Sequence, residues 1–193
     1  ITVYVEGSRS GVLVSDTPKD KTFPQNTAPK RPQDLPCNIH HTTIQGEKWV
    51  VMVGLMDDRP YEVMGGLAQY IEIPRDKVQG TLVKHPRKTM NSVYDLHIGT
   101  NGDTVIVKDL VKVFDNPNQS GFTRMISLGL RHGANIQYVV EQLQKDRDSD
   151  MFSFAKCIAR ILKNYIPDGQ TATEKTCGEC ETEGLVYVEG CVT

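Results

Sequence analysis

Aromatic side chains are scarce. Phe, Tyr and Trp make up 7% of the 193 residues, and Trp49 is the only Trp. A core is still affordable, because 38% of the chain is hydrophobic. No apolar run approaches the length needed to span a membrane. No excess of one charge is present either: the formal net charge is −2, which implies no strong pull toward nucleic acid. Cysteine is sparse, with five in all. Three of them, Cys177, Cys180 and Cys191, cluster near the C-terminus, which is not the spread of a secreted disulfide framework. The sequence shows no initiator Met and no secretory leader, so the expected compartment is a reducing cytoplasm. No internal repeat or low-complexity tract is present.

What is there reads in five segments. Residues 1–15 hold an apolar run, Ile1-Thr-Val-Tyr-Val5, then a turn at Glu6-Gly7-Ser8 and a second run, Gly11-Val-Leu-Val14. A lone five-residue strand needs a partner, so a preceding domain is expected. Residues 16–36 carry Pro18, Pro24, Pro29, Pro32 and Pro36, a density that excludes helix and central strand and suggests an extended linker.

Residues 37–114 alternate as short strands. Two are expected around Gln45-Gly46, with a further turn over Leu55–Pro60. Tyr61–Met64 follows and is expected to end at Gly65-Gly66. Tyr70–Ile73, Gly80–Val83, Ser92–Ile98 and Asp103–Val107 complete the set, with a hairpin turn at Thr100-Asn-Gly-Asp103.

The period then changes from two to 3.6, and three helices are expected over 118–166. The first should present Phe122, Met125, Ile126, Leu128 and Leu130 on one face and stop at Gly133, with Arg131 and His132 favoured at its negative end. Asn135 should cap the second, which carries Ile136, Val139, Val140 and Leu143. The third carries Phe154, Ile158, Ile161, Leu162 and Tyr165. The predicted fold is therefore α+β: an antiparallel β-rich half, three helices, and a small C-terminal zinc-ribbon-like knuckle.

The C-terminal cysteines carry the chemistry. Cys177-Gly-Glu-Cys180 has knuckle spacing, Leu185–Glu189 reads as a strand, and Gly190-Cys191 opens a second knuckle. Three thiolates suit structural Zn, with a fourth ligand expected beyond Thr193. The alternative is a redox dithiol, for which a C-x-x-C pair with lowered pKa is competent. Cys157 lies on an apolar helix face and Cys37 beside Pro36, and both read as plain buried or loop thiols. His40 and His41 stand near Cys37, but an ordinary loop is the simpler reading. Gly7-Ser8-Arg9-Ser10-Gly11 has the donors of an anion cradle without the Lys of a P-loop. Lys84-His-Pro-Arg-Lys88 is basic and reads as a solvated loop. Trp49 reads as a core or interface anchor.

The order and wording of these motifs resemble the C-terminal region of class II ribonucleotide reductase, the adenosylcobalamin-dependent type. Ile1–Leu13 resembles the last barrel strand and its turn, and Lys30-Arg-Pro with Leu35-Pro-Cys37 the linker leaving the barrel. Gly46–Gly54, Arg59–Met64, Arg124–Gly133 and Val139–Leu143 resemble the accessory module, and Phe154–Lys163 the helix before the ribbon. The resemblance implies four parts: 1–15 as barrel end, 16–36 as linker, 37–169 as accessory domain and 170–193 as partial ribbon. It implies an oxidoreductase that makes deoxyribonucleotides, with adenosylcobalamin held upstream of Ile1 and the catalytic cysteines also outside this chain. This chain alone is then expected to be inactive. Tyr4, Gly7, Ser8 and Arg9 would lie near substrate or cofactor, and Cys177, Cys180 and Cys191 would hold Zn. The implied partners are the rest of the reductase chain, a ribonucleotide and a thioredoxin-like reductant, with neither membrane nor direct DNA binding. From a different class comes the alternative of a free-standing zinc-ribbon adaptor for protein or nucleic acid.

Overall fold

A computed structural model describes residues 26–68, 71, 73–87, 92–99, 104–114, 116–145, 153–172 and 184–193. Six strands form one antiparallel sheet: β1 (Asp34–Ile44), β2 (Glu47–Met56), β3 (Arg59–Leu67), β4 (Gln79–His85), β5 (Val93–Ile98) and β6 (Val105–Val107). Their order is β3-β2-β1-β4-β5-β6. Helices α1 (Leu110–Phe114), α2 (Pro117–Arg131), α3 (Ile136–Gln144) and α4 (Phe154–Lys163) follow, then a hairpin of β7 (Tyr187–Val188) and β8 (Cys191–Val192).

The turns fix the register. Gln45 and Gly46 both have positive φ, at 50° and 84°, and Asp57 and Asp58 stand at 50° and 61°. Two-residue loops of that handedness match the twist of the strands they join. Pairing then runs from Ile44↔Glu47 to Cys37↔Gly54 without slip, and a bulge on the β2–β3 ladder falls at Gly54/Leu55.

Alternation along β2 sorts its side chains into two cores. Trp49, Val51 and Val53 face the helices, where they meet Ile126, Val140, Ile158 and Leu162. Val50 and Met52 face the other way, with Leu35, Cys37, Ile39, Leu82, Leu96 and Ile98. The sheet curls around this second core. α1 closes the curl, touching β5 on one side and β3 on the other, with Leu110 fully buried between them.

The structure departs from expectation at five places, one of them the strand expected over Tyr70–Ile73. The α+β arrangement stands, but four helices follow the sheet rather than three. α1 is a five-residue plug whose short period was hidden among β-branched residues. β3 does not end at Gly65-Gly66; it runs through to Leu67. The glycines are there for close approach, since a Cβ on Gly66 would lie 2.9 Å from Phe114 Cβ. β1 begins at Asp34, so Leu35-Pro36-Cys37 is strand and not linker. Pro36 is tolerated because amides alternate along a strand. Ile39 N donates toward the β4 side, so the Pro36 nitrogen faces the β2 side, where pairing has not yet begun. Finally, α2 is rotated. Ile126 and Leu130 are buried, but Met125 is 67% and Leu128 47% exposed, while Thr123 and Ser127 point inward. Ser127 wins that place through hydrogen bonds: its Oγ accepts from Val63 N at 2.9 Å and donates to Thr123 O at 2.7 Å.

The Asn135 cap of α3 and the Gly133 stop of α2, with φ 80°, are as expected, and Asn116 caps the start of α2. Ile71 and Ile73 are buried but lie outside any strand, and the Thr100–Asp103 turn lies outside the described residues.

Candidate functional site

The C-terminal hairpin is tied to the domain by backbone pairing. Gly169 N donates to Tyr187 O at 2.8 Å, Tyr187 N to Gln170 O at 2.9 Å, and Ala172 N to Leu185 O at 2.8 Å. Residues 169–172 thus act as a third strand beside β7, with a bridge at Thr171↔Val186. Glu189 and Gly190 form the tight turn, with φ 49° and 74°. A Cβ on Gly190 would stand 3.0 Å from Lys163 O, so the turn sits directly on the end of α4. Tyr187 and Ala172 are buried in the helix-side core.

This arrangement puts Cys191 in a strand, paired with Val188, exposed and with a free thiol. Gly190-Cys191 thus opens a short return strand, and the other thiols that a knuckle would need lie outside the described residues. Cys177 and Cys180 lie outside the described residues, as do Tyr4, Gly7, Ser8 and Arg9. Among the described residues, no group of three His, Cys, Asp or Glu side chains is placed to hold a metal ion. A zinc donor set is not assembled by the described residues, and nothing here is derived through a bound metal.

Two other thiols are placed where burial silences them. Cys37 is 2% exposed, and burial, with the nearby Glu62 charge second, pushes its pKa up to about 12. Burial also raises that of Cys157, which contacts Thr42 Oγ1 at 3.8 Å. Cys37 and His40 cannot share a ligand. They are three apart on a strand, so Cys37 faces the curled core while His40 faces the helices. There His40 Nε2 meets Tyr165 Oη at 2.8 Å, and the same hydroxyl accepts from Asn38 Nδ2 at 2.8 Å. Burial, then the neighbouring His41, lowers the His40 pKa below its ordinary range, which favours the neutral ring accepting the Tyr165 proton.

The most highly organised polar centre escaped sequence reasoning. Glu62, on β3, is fully buried. Arg31 forks onto it, with Nη2 at 2.6 Å from Oε1 and Nε at 3.0 Å from Oε2. Arg131, from the end of α2, reaches Oε2 at 2.9 Å. The Arg31 fork also donates to Pro32 O, Gln33 O and Leu82 O. Each guanidinium lies over a ring, Arg31 over Tyr94 and Arg131 over Tyr61. Further bonds hold residues 26–33 as a strap. Tyr61 Oη donates to Pro29 O at 2.8 Å, His132 Nδ1 lies 2.6 Å from Asn26 O, and Lys84 N donates to Gln33 O. The one available signal was an acidic residue at an inward position of an apolar strand, in Tyr61-Glu-Val-Met64. Its two partners, 31 and 69 residues away, carry no mark of their own. Elsewhere, His85 pairs with Asp95 at 3.0 Å, and Trp49 stacks on Phe154 at 5.1 Å.

The fold and this centre define a class: a curled antiparallel sheet backed by helices, entered by an ion-paired strap and closed by a docked hairpin. The chain belongs to the family described as the NrdJ homologue C-terminal domain, whose model matches residues 35–167. That match supports the resemblance to the C-terminal region of class II ribonucleotide reductase. No match was found among curated proteins or among solved structures. Among the described residues, no helix is long and apolar enough to cross a membrane.

Proposed function

We propose that this chain is the C-terminal part of an adenosylcobalamin-dependent ribonucleotide reductase, in which it supports the catalytic barrel and positions a C-terminal redox arm. The reaction replaces the ribose 2′-hydroxyl of a ribonucleotide by hydrogen. The cobalamin and the radical-bearing cysteine belong to the upstream barrel. Tyr4, Gly7, Ser8 and Arg9 lie at that barrel's mouth in this reading. The observation that carries it is the family match over 35–167, joined to a cysteine-bearing hairpin docked on the same domain. The docked hairpin pins Ala172 to Leu185, the two described ends that flank Cys177 and Cys180 in the sequence. A thioredoxin-like reductant would deliver electrons to that arm. Cys177, Cys180 and Cys191 hold Zn in the structural version of the arm and act as a dithiol in the redox version.

The test is turnover with ribonucleotide, adenosylcobalamin and a dithiol. The chain alone should make no deoxyribonucleotide, and the same chain joined to an upstream barrel should make it only when adenosylcobalamin is present. Product from this chain alone, or cobalamin-independent product from the joined protein, would overturn the reading. Metal analysis of a polypeptide extended past Thr193 separates the two versions of the arm. Bound zinc lost in Cys177→Ser supports the structural one, and reversible thiol cycling without zinc supports the redox one.

A further inference from the structure

β4 covers β1 only in part. Their ladder runs from Asp34↔Val83 to Asn38↔Gln79, and one further bond, Ile39 N to Val78 O at 2.8 Å, closes it. β1 itself continues to Ile44, paired with β2 throughout. Over His41–Ile44 its other edge carries no strand among the described residues. Amides along a strand alternate in direction, so the N–H groups of His41 and Thr43 point the same way as that of Ile39. They face that edge, where no described residue pairs with them. None of the described residues leading into β4 pairs with it, and Pro74–Lys77 form a turn in which Lys77 N donates to Pro74 O at 3.0 Å.

Two clefts flank this edge and share His41, Thr42 and Arg75. On the helix side, about 490 Å³ is lined further by His40, Arg160 and Asn164. The other, about 620 Å³, is lined further by Leu67, Ala68, Ile71 and Ile73 and by the charged Glu47 and Lys48. Arg75 and Arg160 have no carboxylate at ion-pairing distance among the described residues. That contrasts with Arg31 and Arg131, which share Glu62. A backbone edge left open among the described residues thus lies between a cationic cleft and a mixed one whose apolar part is Leu67, Ala68, Ile71 and Ile73.

We propose that the His41–Ile44 edge of β1 takes an extended acidic segment of a second polypeptide by strand addition. Backbone groups of the segment pair with His41 and Thr43, in line with β4. Its successive side chains fall on opposite faces, acidic ones toward Arg160 and Arg75 and apolar ones toward Ile71 and Ile73. The free edge spans only roughly 13 Å at about 3.3 Å per residue, which suits a short, reversible contact. The proposal stands independently of the reductase reading.

Fluorescence polarisation on the whole chain tests it, with a labelled peptide of alternating Glu and Val. Binding is expected, weakening as salt rises. It should fall about tenfold or more when Lys replaces Glu, when the pairing amides of the peptide are N-methylated, and in Arg160→Glu, whose side chain is exposed. Hydrogen exchange at the His41 and Thr43 amides should slow on binding. Thr43→Pro, which removes one of those amides, should weaken binding while circular dichroism stays unchanged. No binding of the Glu–Val peptide overturns the proposal. So does equal binding of the N-methylated peptide, or displacement by inorganic triphosphate with no change in amide exchange, since either would mark a plain anion patch.

Discussion

The two ends of the domain are fastened in opposite ways. The entering strap, residues 26–33, is held by side chains that converge on one buried carboxylate. The leaving hairpin, residues 184–193, is held by backbone pairing, one buried Tyr and a glycine turn pressed on α4. A charge centre concentrates its stability in single atoms. Loss of one partner strands the others in a dry site, and the penalty of that stranding exceeds what the pair contributes when complete. Backbone pairing spreads stability over many groups and is indifferent to most side chains, but it fails where the chain must pass close to another backbone.

The largest expected effect is therefore at Glu62. Glu62→Ala leaves Arg31, whose side chain is 6% exposed, without its anion, and should cost roughly 3–5 kcal/mol in a denaturant titration. Glu62→Ala with Arg31→Met should recover part of this loss, because the stranded cation is gone. If the double variant is as unstable as the sum of the singles, the two side chains are not acting as a unit.

Next comes Gly190. Gly190→Val meets both a positive φ and Lys163 O at 3.0 Å, and should cost about 1–3 kcal/mol. The loss should be local. Amide exchange at Tyr187 and Ala172 should speed up while that of Val51 and Leu82, in the sheet, stays unchanged. Equal acceleration throughout would mean that the hairpin is an integral part of the main core.

A smaller effect is expected from pH at His40. Burial lowers its folded pKa below the ordinary 6.5, so the unfolded chain takes up the proton first as pH falls. Its contribution is whole above pH 6.5 and is lost as pH falls from there toward the folded pKa. His40→Gln should flatten the stability curve in that window. An unchanged slope would assign it to other groups.

The gentlest probe is thiol labelling of the native chain. Cys37 and Cys157 should label only as fast as the domain opens, since burial keeps them protonated and covered. Cys191 should label at once, and in a chain with Cys177 and Cys180 both replaced by Ser, Cys191→Ser should remove the fast phase.

These two ends also show what a single sequence can disclose. The hairpins at Gln45-Gly46 and Asp57-Asp58, the Asn135 cap and the Gly133 stop were legible because each is decided by residues next to one another. The continuation of β3 through Gly65-Gly66 was not, because the reason for those glycines is Phe114, far along the chain. The face of α2 was misread because Ser127 is buried for its hydrogen bonds and Met125 is left outside. Hydrophobic periodicity is blind to that exchange. The Glu62 centre fell to the same limit, since three charged residues spread along the chain give no sign that they meet. The cysteine spacing was read for its chemistry, and the Glu189-Gly190 turn adds that Cys191 opens a short strand. The Cys177 and Cys180 expectation lies outside the described residues.

Turnover in a complete reductase that carries this segment tests the central claim most directly, with Gly190→Val as the variant. If the docked hairpin positions the redox arm, thioredoxin-supported turnover should fall about tenfold or more, while turnover supported by a small dithiol stays close to that of the parent. Thioredoxin-supported turnover that matches the parent, in a variant whose hairpin amides exchange fast, would contradict the account.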